Sequence, residues 1–268
     1  MAITTLDGAI AGMQVPVPYV KAGVTMAATG TLRGYNPRYS SGNPGPAAVP
    51  TAGVNGIAVA GPGSQLSRVN PATGFAYAAN VDMATSVAGT LWLIDRLWEN
   101  SGLSSTLTTA QAITPAALPS RDRNGVALGD GVMAAVECSA VGGAGTPLIT
   151  LTYTDQAGTA GKTATIAAAA TAAPAGTFEI FTPTAASGGV RSPTSFIQSA
   201  TRTSGGFHLV LFRRLLAVAC PLASIASTVD VLTGGMPRAF DGSALEFIWF
   251  PTATTAVSFL GGYNETQG

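Results

Sequence analysis

Leu91-Trp92-Leu93-Ile94-Asp95-Arg96-Leu97-Trp98 is the stretch on which the fold turns, because two periods fit it. Leu91, Ile94, Asp95 and Trp98 fall on one face of a helix, whereas Leu91, Leu93, Asp95 and Leu97 alternate as on a strand. The neighbours decide for the strand. From Thr90 onward the chain consists of short runs rich in β-branched and aromatic residues, parted by Gly, Pro and Asp clusters at intervals of roughly 10 to 20 residues. That spacing suits a sandwich or barrel.

Working outward, strands are expected over 91–98, 132–138, 148–154, 163–166, 177–181, 196–200, 207–215, 245–250 and 257–260. Within 148–154, Ile149, Leu151 and Tyr153 alternate with threonines, which gives one apolar and one hydroxyl-rich face. Asp155 to Gly161 joins two Thr-rich runs, and Gly158 and Gly161 can take the positive φ values of a hairpin loop. The Ala-rich run 165–173 is the place where a helix competes. Residues 1–23 and 33–74 are dominated by Gly, Pro, Ala and Asn and read as arms and loops, with a short extended piece at 24–32 between them. The expected fold is all-β: an antiparallel, jelly-roll-like β-sandwich over 75–268, preceded by an extended N-terminal arm over 1–74 with long Gly/Pro/Ala-rich loops. No repeat of fixed period appears.

Only 26 of the 268 residues are charged, and the formal net charge is zero. A free globular protein carries about 25% charged residues, so this chain is poorly equipped to meet water on all sides. Its surface is expected to be covered by copies of itself or by a partner lattice. Lysine occurs only at 21 and 162 while arginine occurs 11 times. Arginine's planar, weakly hydrated guanidinium suits interfaces better than solvated surfaces.

An apolar fraction of 47% and a mean hydropathy of +0.35 look membrane-like. Yet the longest apolar stretch, 207–225, is broken by Arg213, Arg214 and Pro221, so no spanning helix is expected. The first cation is Lys21, and residues 1–16 lack the pattern of a secretory signal, which points to synthesis in a cytoplasm. Cys138 and Cys220 then read as core thiols rather than a disulfide.

Motifs for chemistry are few. Gly161-Lys162-Thr163 lacks the earlier glycine of a phosphate loop, since Gln156 stands in its place. His208 is the only imidazole and lies inside an apolar run, which suits a packed side chain better than a general base. One His and two distant Cys give no metal-ligand spacing. Carboxylates sit beside Arg or Gly and read as local ion pairs and Asx-type turns. Thirteen scattered cations make no basic stripe for nucleic acid. The expectation is no enzyme, no cofactor and no metal.

Interface candidates are Arg33, Tyr35, Arg38 and Tyr39, which lie in a Pro/Gly-rich region without a core of its own, together with Trp98, Arg213 and Arg214. Adjacent Arg213 and Arg214 would face opposite sides of a strand. Of Trp92, Trp98 and Trp249, each either fills the core or anchors an interface.

Asp95-Arg96-Leu97-Trp98-Glu99-Asn100-Ser101-Gly102-Leu103, followed by Thr108-Thr109-Ala110-Gln111, resembles a segment of tailed-bacteriophage virion structural proteins. So do Arg121-Asp122 with Gly125, Gly129-Asp130-Gly131, the turn Tyr153 to Gly158, Gly188 to Ser192, and Pro237-Arg238. The match spans roughly 90–242 and is more similar to a capsid decoration or cement protein than to a main shell protein, whose long spine helix is not evident. The resemblance implies a β-rich subunit on the capsid exterior, made in the host cytoplasm, with the major capsid protein and copies of itself as partners. A trimer, with no membrane or nucleic-acid partner, is implied by the same analogy. Another virion part such as a tail or connector subunit, a carbohydrate- or receptor-binding module, and a hydrolase are the alternatives.

Overall fold

Residues 91–98 lie within β6 (Gly89–Ser104), one of six strands that close into a barrel. The computed structural model describes residues 3–30, 32–48, 55–61, 65–114, 116–166 and 172–268. Around the barrel the order is β14 (Gly206–Cys220), β8 (Val132–Ala140), β11 (Thr177–Ile180), β2 (Arg33–Tyr35), β17 (Leu245–Pro251) and β6, which pairs back onto β14. All pairings are antiparallel. β4 (Ile57–Ala58) adds to the outer edge of β6. Register shifts at Phe207/Leu209, Leu211/Phe212 and Arg214/Leu216 bend β14 around β6, the usual way a sheet is curved shut.

Alternation along β6 sends Trp92, Ile94 and Arg96 into the barrel and Leu91, Leu93, Asp95 and Leu97 out of it. The barrel interior is apolar in its middle, where Ile94, Ala135, Phe178, Ile180, Val210, Phe212 and Ile248 meet. Gly34 of β2 lies in this wall because nothing larger fits: a Cβ there would stand 2.7 Å from Ile248 and 3.0 Å from Phe250.

A separate sheet covers each flank of the barrel. One has the order β15 (Ser227–Val229), β5 (Ala76–Thr85), β18 (Val257–Gln267), β1 (Val17–Val24), β3 (Gly42–Asn43), with β16 (Arg238–Ala239) also on β5. Its inner face, including Tyr19, Val81, Met83, Phe259 and Tyr263, packs on Leu91, Leu93, Val218, Phe247 and Trp249 of the barrel. The other has the order β12 (Thr182–Pro183), β10 (Lys162–Ile166), β9 (Ile149–Asp155), β13 (Val190–Gln198), β7 (Gln111–Ala112). Ile149, Leu151, Tyr153 and Phe196 of this sheet pack on Val132, Val136, Leu209 and Leu211. A short helix α1 (Leu6–Ala11), with Thr5 capping its N-terminus, rests on the end of β18.

The chain is therefore all-β and antiparallel, as its spacing indicated, and the β9–β10 hairpin turns at Asp155–Gly161 with positive φ at Gly158 and Gly161. Two expectations need correction. Residues 17–24 and 33–35 are integral strands, one inside a sheet and one a barrel stave, so 1–74 is not an arm separate from a domain over 75–268. The Gly/Pro-rich loop after Tyr39 is anchored from within. Buried Lys21 donates to the carbonyls of Ser40 (3.0 Å), Pro44 (2.7 Å) and Gly45 (3.3 Å), and burial pulls its ammonium pKa down. The second correction concerns 76–85, where no strand was expected and which forms the long strand β5. The Ala-rich run 167–171 lies outside the described residues.

Candidate functional site

One end of the barrel is filled with charge. Arg96, with no exposed surface, donates to Glu137 (2.8 Å), to both oxygens of Glu246 (3.1 Å each) and to Glu99 (2.9 Å). Asn36, just beyond β2, gives its amide to Glu137 (2.7 Å) and Glu246 (3.0 Å). The 3-10 turn Pro37–Tyr39 closes this end, and Arg38 reaches in to Glu246 at 2.7 Å. Burial alone would push the Arg96 guanidinium down, but Glu137, Glu246 and Glu99 hold it well above the ordinary arginine range. Burial likewise opposes the Glu137 carboxylate, and Arg96, then His208 and Arg38, overcome it and hold its pKa well below normal. The Tyr39 phenol is raised by burial and by Glu137.

His208 stands opposite Glu137 in the β14–β8 register, with Nδ1 3.9 Å from the Glu137 carboxylate. It is walled into this network, as its apolar sequence context suggested.

Asp95, next in sequence to Arg96, points out of the barrel into a second buried cluster. Its carboxylate accepts from Ser243 Oγ (2.7 Å) and the Ala244 amide (2.9 Å), with Arg121 at 3.7 Å and Arg213 at 3.8 Å. Here burial wins. It raises the Asp95 pKa despite both arginines, and it lowers those of Arg121 and Arg213 despite the aspartate. Arg213 and Arg238 both lie over the Phe240 ring, at 4.8 and 4.5 Å from its centre, and Arg238 also lies 3.7 Å from the Phe75 ring centre. Two other aspartates serve turns: Asp122 accepts from the amides of Asn124, Val126, Leu128, Gly129 and Asp130, and Asp155 from those of Ala157 and Thr159.

The interface candidates mostly face inward. Arg33 pairs with Glu179 at 2.7 Å. The Tyr35 hydroxyl donates to the Ala28 carbonyl and accepts from two amides. Arg38 belongs to the barrel network, Arg213 to the Asp95 cluster, and Trp98 is fully buried. Tyr39 is partly buried beneath Arg38. Arg214 alone is exposed, lying 4.8 Å above the Trp92 ring at the opposite, apolar end of the barrel. Trp249 is core; Trp92 is half-buried.

Beside the polar end lies a recess of about 380 Å³, lined by Tyr35, Asn36, Tyr39, Ser40 and Pro174 among others. The Asn36 amide in it is already committed to the two glutamates. Both cysteines are free and buried, and burial pushes the Cys138 thiol up to about 12. Among the described residues no three His, Cys, Asp or Glu side chains gather as a metal site, and no helix is long and apolar enough to cross a membrane.

The outside of the molecule is the complement of this interior. Thirteen of the 26 charged residues are buried. Seven are exposed: Asp7, Asp82, Arg123, Arg191, Arg214, Asp230 and Asp241. Eighteen large apolar side chains are exposed among the described residues, so apolar groups outnumber charges on the surface by more than two to one. The outer face of the five-stranded sheet is a field of hydroxyls, with Thr152 beside Thr163 and Thr150 beside Thr165 across the β9–β10 pair. Sequence reasoning found the scarcity of charge but not its concentration inside. Residues of the network lie at 36, 38, 96, 99, 137, 208 and 246; apart from Asn36 and Arg38 at the 3-10 turn, and Arg96 and Glu99, which share β6, they come from different parts of the chain, and nothing local marks them as neighbours. No family model, no curated protein and no solved structure matches this chain.

Proposed function

We propose that the protein is a non-enzymatic structural subunit of a phage particle, a capsid decoration or cement protein that stabilises the shell by bridging neighbouring capsid subunits. The observation that carries this reading is the partition of charge: half of an already small set is internal, and seven exposed charges serve a surface of 10733 Å². Such a surface loses little by desolvation when it is covered, because few ions must be stripped of water. A standard interface buries about 1,600 Å², and several modest contacts around each copy add up through multivalency.

With the N-terminal region built into the sheets, the contacts fall to the outer sheet faces and the exposed loops. On this reading the sandwich expected from sequence corresponds to each barrel wall facing its outer sheet. The barrel and its ionic plug serve as a stiff spacer. Major capsid protein is the partner, and the capsid exterior the location.

The test is reconstitution. Purified protein is added to particles lacking it, and binding stoichiometry, position by electron cryomicroscopy and the temperature of shell opening are measured. Saturable binding on the outer shell with a raised opening temperature is the expected result. Density confined to the tail or neck would replace the decoration reading with the tail or connector one, and no binding to any particle would remove both.

A further inference from the structure

Two apolar features lie at opposite ends of the molecule: an exposed helical ridge, and a half-buried ring of side chains that packs inward on the barrel core and shows its outer edge to solvent. α1 buries only Ala9 and turns Leu6 (48% exposed), Ile10 (59%) and, just beyond it, Met13 (38%) outward. This inverts the usual placement of apolar residues on a surface helix. Asp7, on the same exposed side, is its one charged residue and has no ion pair.

The second feature is the apolar mouth of the barrel. Half-buried Trp92, Phe250, Leu32 and Met133 ring it, and the Trp92 and Phe250 rings meet with centres 4.4 Å apart at a tilt of 45°. A mainly apolar recess of about 280 Å³ beside Met133 and Phe181 borders the ring, and a second of about 250 Å³ beside Leu32 and Ile180 is lined in part by the Arg33–Glu179 ion pair. Arg214 is exposed and held over Trp92, and among the described residues no carboxylate pairs with it. An arginine fixed on an aromatic platform next to a pocket for apolar side chains has the make-up of an interface hot spot.

Each feature supplies what the other lacks: an apolar ridge with one unpaired anion, and an apolar ring with one unpaired cation. They cannot meet within one molecule. α1 is tied to Thr266 and Gln267 at the end of β18, beside Ala76, while the mouth lies near Gly89, past the other end of β5. Ten residues of strand separate these ends by roughly 30 Å.

We propose that copies of this chain associate head to tail, the Leu6/Ile10/Met13 ridge of one seating on the barrel mouth of the next with Asp7 against Arg214. Because the two surfaces differ, the contact is heterologous and propagates into a ring or an open row. This inference rests on the assembly reading only in needing several copies together, and its test is made in free solution without particles, so either can fail alone.

Sedimentation velocity on the full chain over a range of concentrations measures the association. Asp7→Arg and Arg214→Glu should each weaken it by about tenfold or more, and the two together should restore it to within about threefold. Leu6→Ser with Ile10→Ser should weaken it without changing the thermal midpoint, since these side chains are exposed. Wild-type protein that stays monomeric at its solubility limit overturns the proposal. So does a double charge reversal no better than either single one. An added check is disulfide formation between Asp7→Cys and Arg214→Cys proteins mixed together; its absence under oxidising conditions also counts against the contact.

Discussion

Replacing Arg96 by methionine tests whether the polar end of the barrel is held by charge. The substitution keeps the length of the side chain but removes the donor shared by Glu137, Glu246 and Glu99. Glu246 retains Arg38 and Asn36, whereas Glu137 keeps only Asn36 within hydrogen-bond distance. Breaking a buried pair so that one charge is left uncompensated costs about 3–5 kcal/mol. At about 2–4 °C per kcal/mol for a chain approaching this size, the thermal midpoint should fall by about 6–20 °C. Adding Glu137→Gln removes the stranded charge and should recover most of that loss.

The pH dependence supplies a second readout. Glu137 is held well below its unfolded value of about 4.3, so its stabilising contribution is complete above that pH and is lost as pH falls towards the folded value. Wild-type protein should therefore lose stability on acidification from about pH 5 downward, and the Arg96→Met/Glu137→Gln protein should lose less. Midpoints by calorimetry from pH 7 to pH 3 decide the matter. A single variant within about 1 kcal/mol of wild type, or a double variant no more stable than the single, would refute the reasoning.

Three further outcomes are expected. Gly34→Ala should overpack the barrel wall against Ile248 and Phe250 and cost about 1–3 kcal/mol in urea unfolding; an unchanged midpoint would show that the wall yields. Lys21→Met strands the carbonyls of Ser40, Pro44 and Gly45 at about 1–3 kcal/mol, so hydrogen exchange should rise across 40–47 before the rest of the sheet, and uniform protection would contradict that anchor. With its thiol near 12 and buried, Cys138 should resist a thiol reagent at pH 8 until the protein unfolds; rapid labelling of Cys138 in the native protein would be inconsistent with this burial.

Much of the strand content was legible because strands that face two cores, such as β8, β14 and β17, are near-continuously apolar, and β9, which faces one, alternates clearly. β5 was missed for a physical reason. Its sequence, Ala-Tyr-Ala-Ala-Asn-Val-Asp-Met-Ala-Thr, is built from residues of low strand preference, and it becomes a strand only because Ala76, Ala78, Val81 and Met83 fit beneath neighbouring strands. The second half of β18, Gly-Gly-Tyr-Asn-Glu-Thr-Gln, hides in the same way behind polar and glycine residues, although Tyr263 and Glu265 are buried. Barrel closure depends on β2, three residues in a stretch whose composition reads as loop. Arg38 and Trp98, expected at an interface, are buried against Glu246 and Gly56, 208 and 42 positions away, so their surroundings could not be read from local pattern.

β6 and β14 have a mechanical consequence. Each contributes side chains to all three apolar clusters, with Leu93, Ile94 and Leu97 on one and Leu211, Phe212 and Leu216 on the other. Neither flanking sheet can be peeled away without baring one side of these two strands, so the molecule should yield as a unit rather than layer by layer. Tension applied across it would run along two continuous backbones and be resisted through covalent bonds as well as through packing.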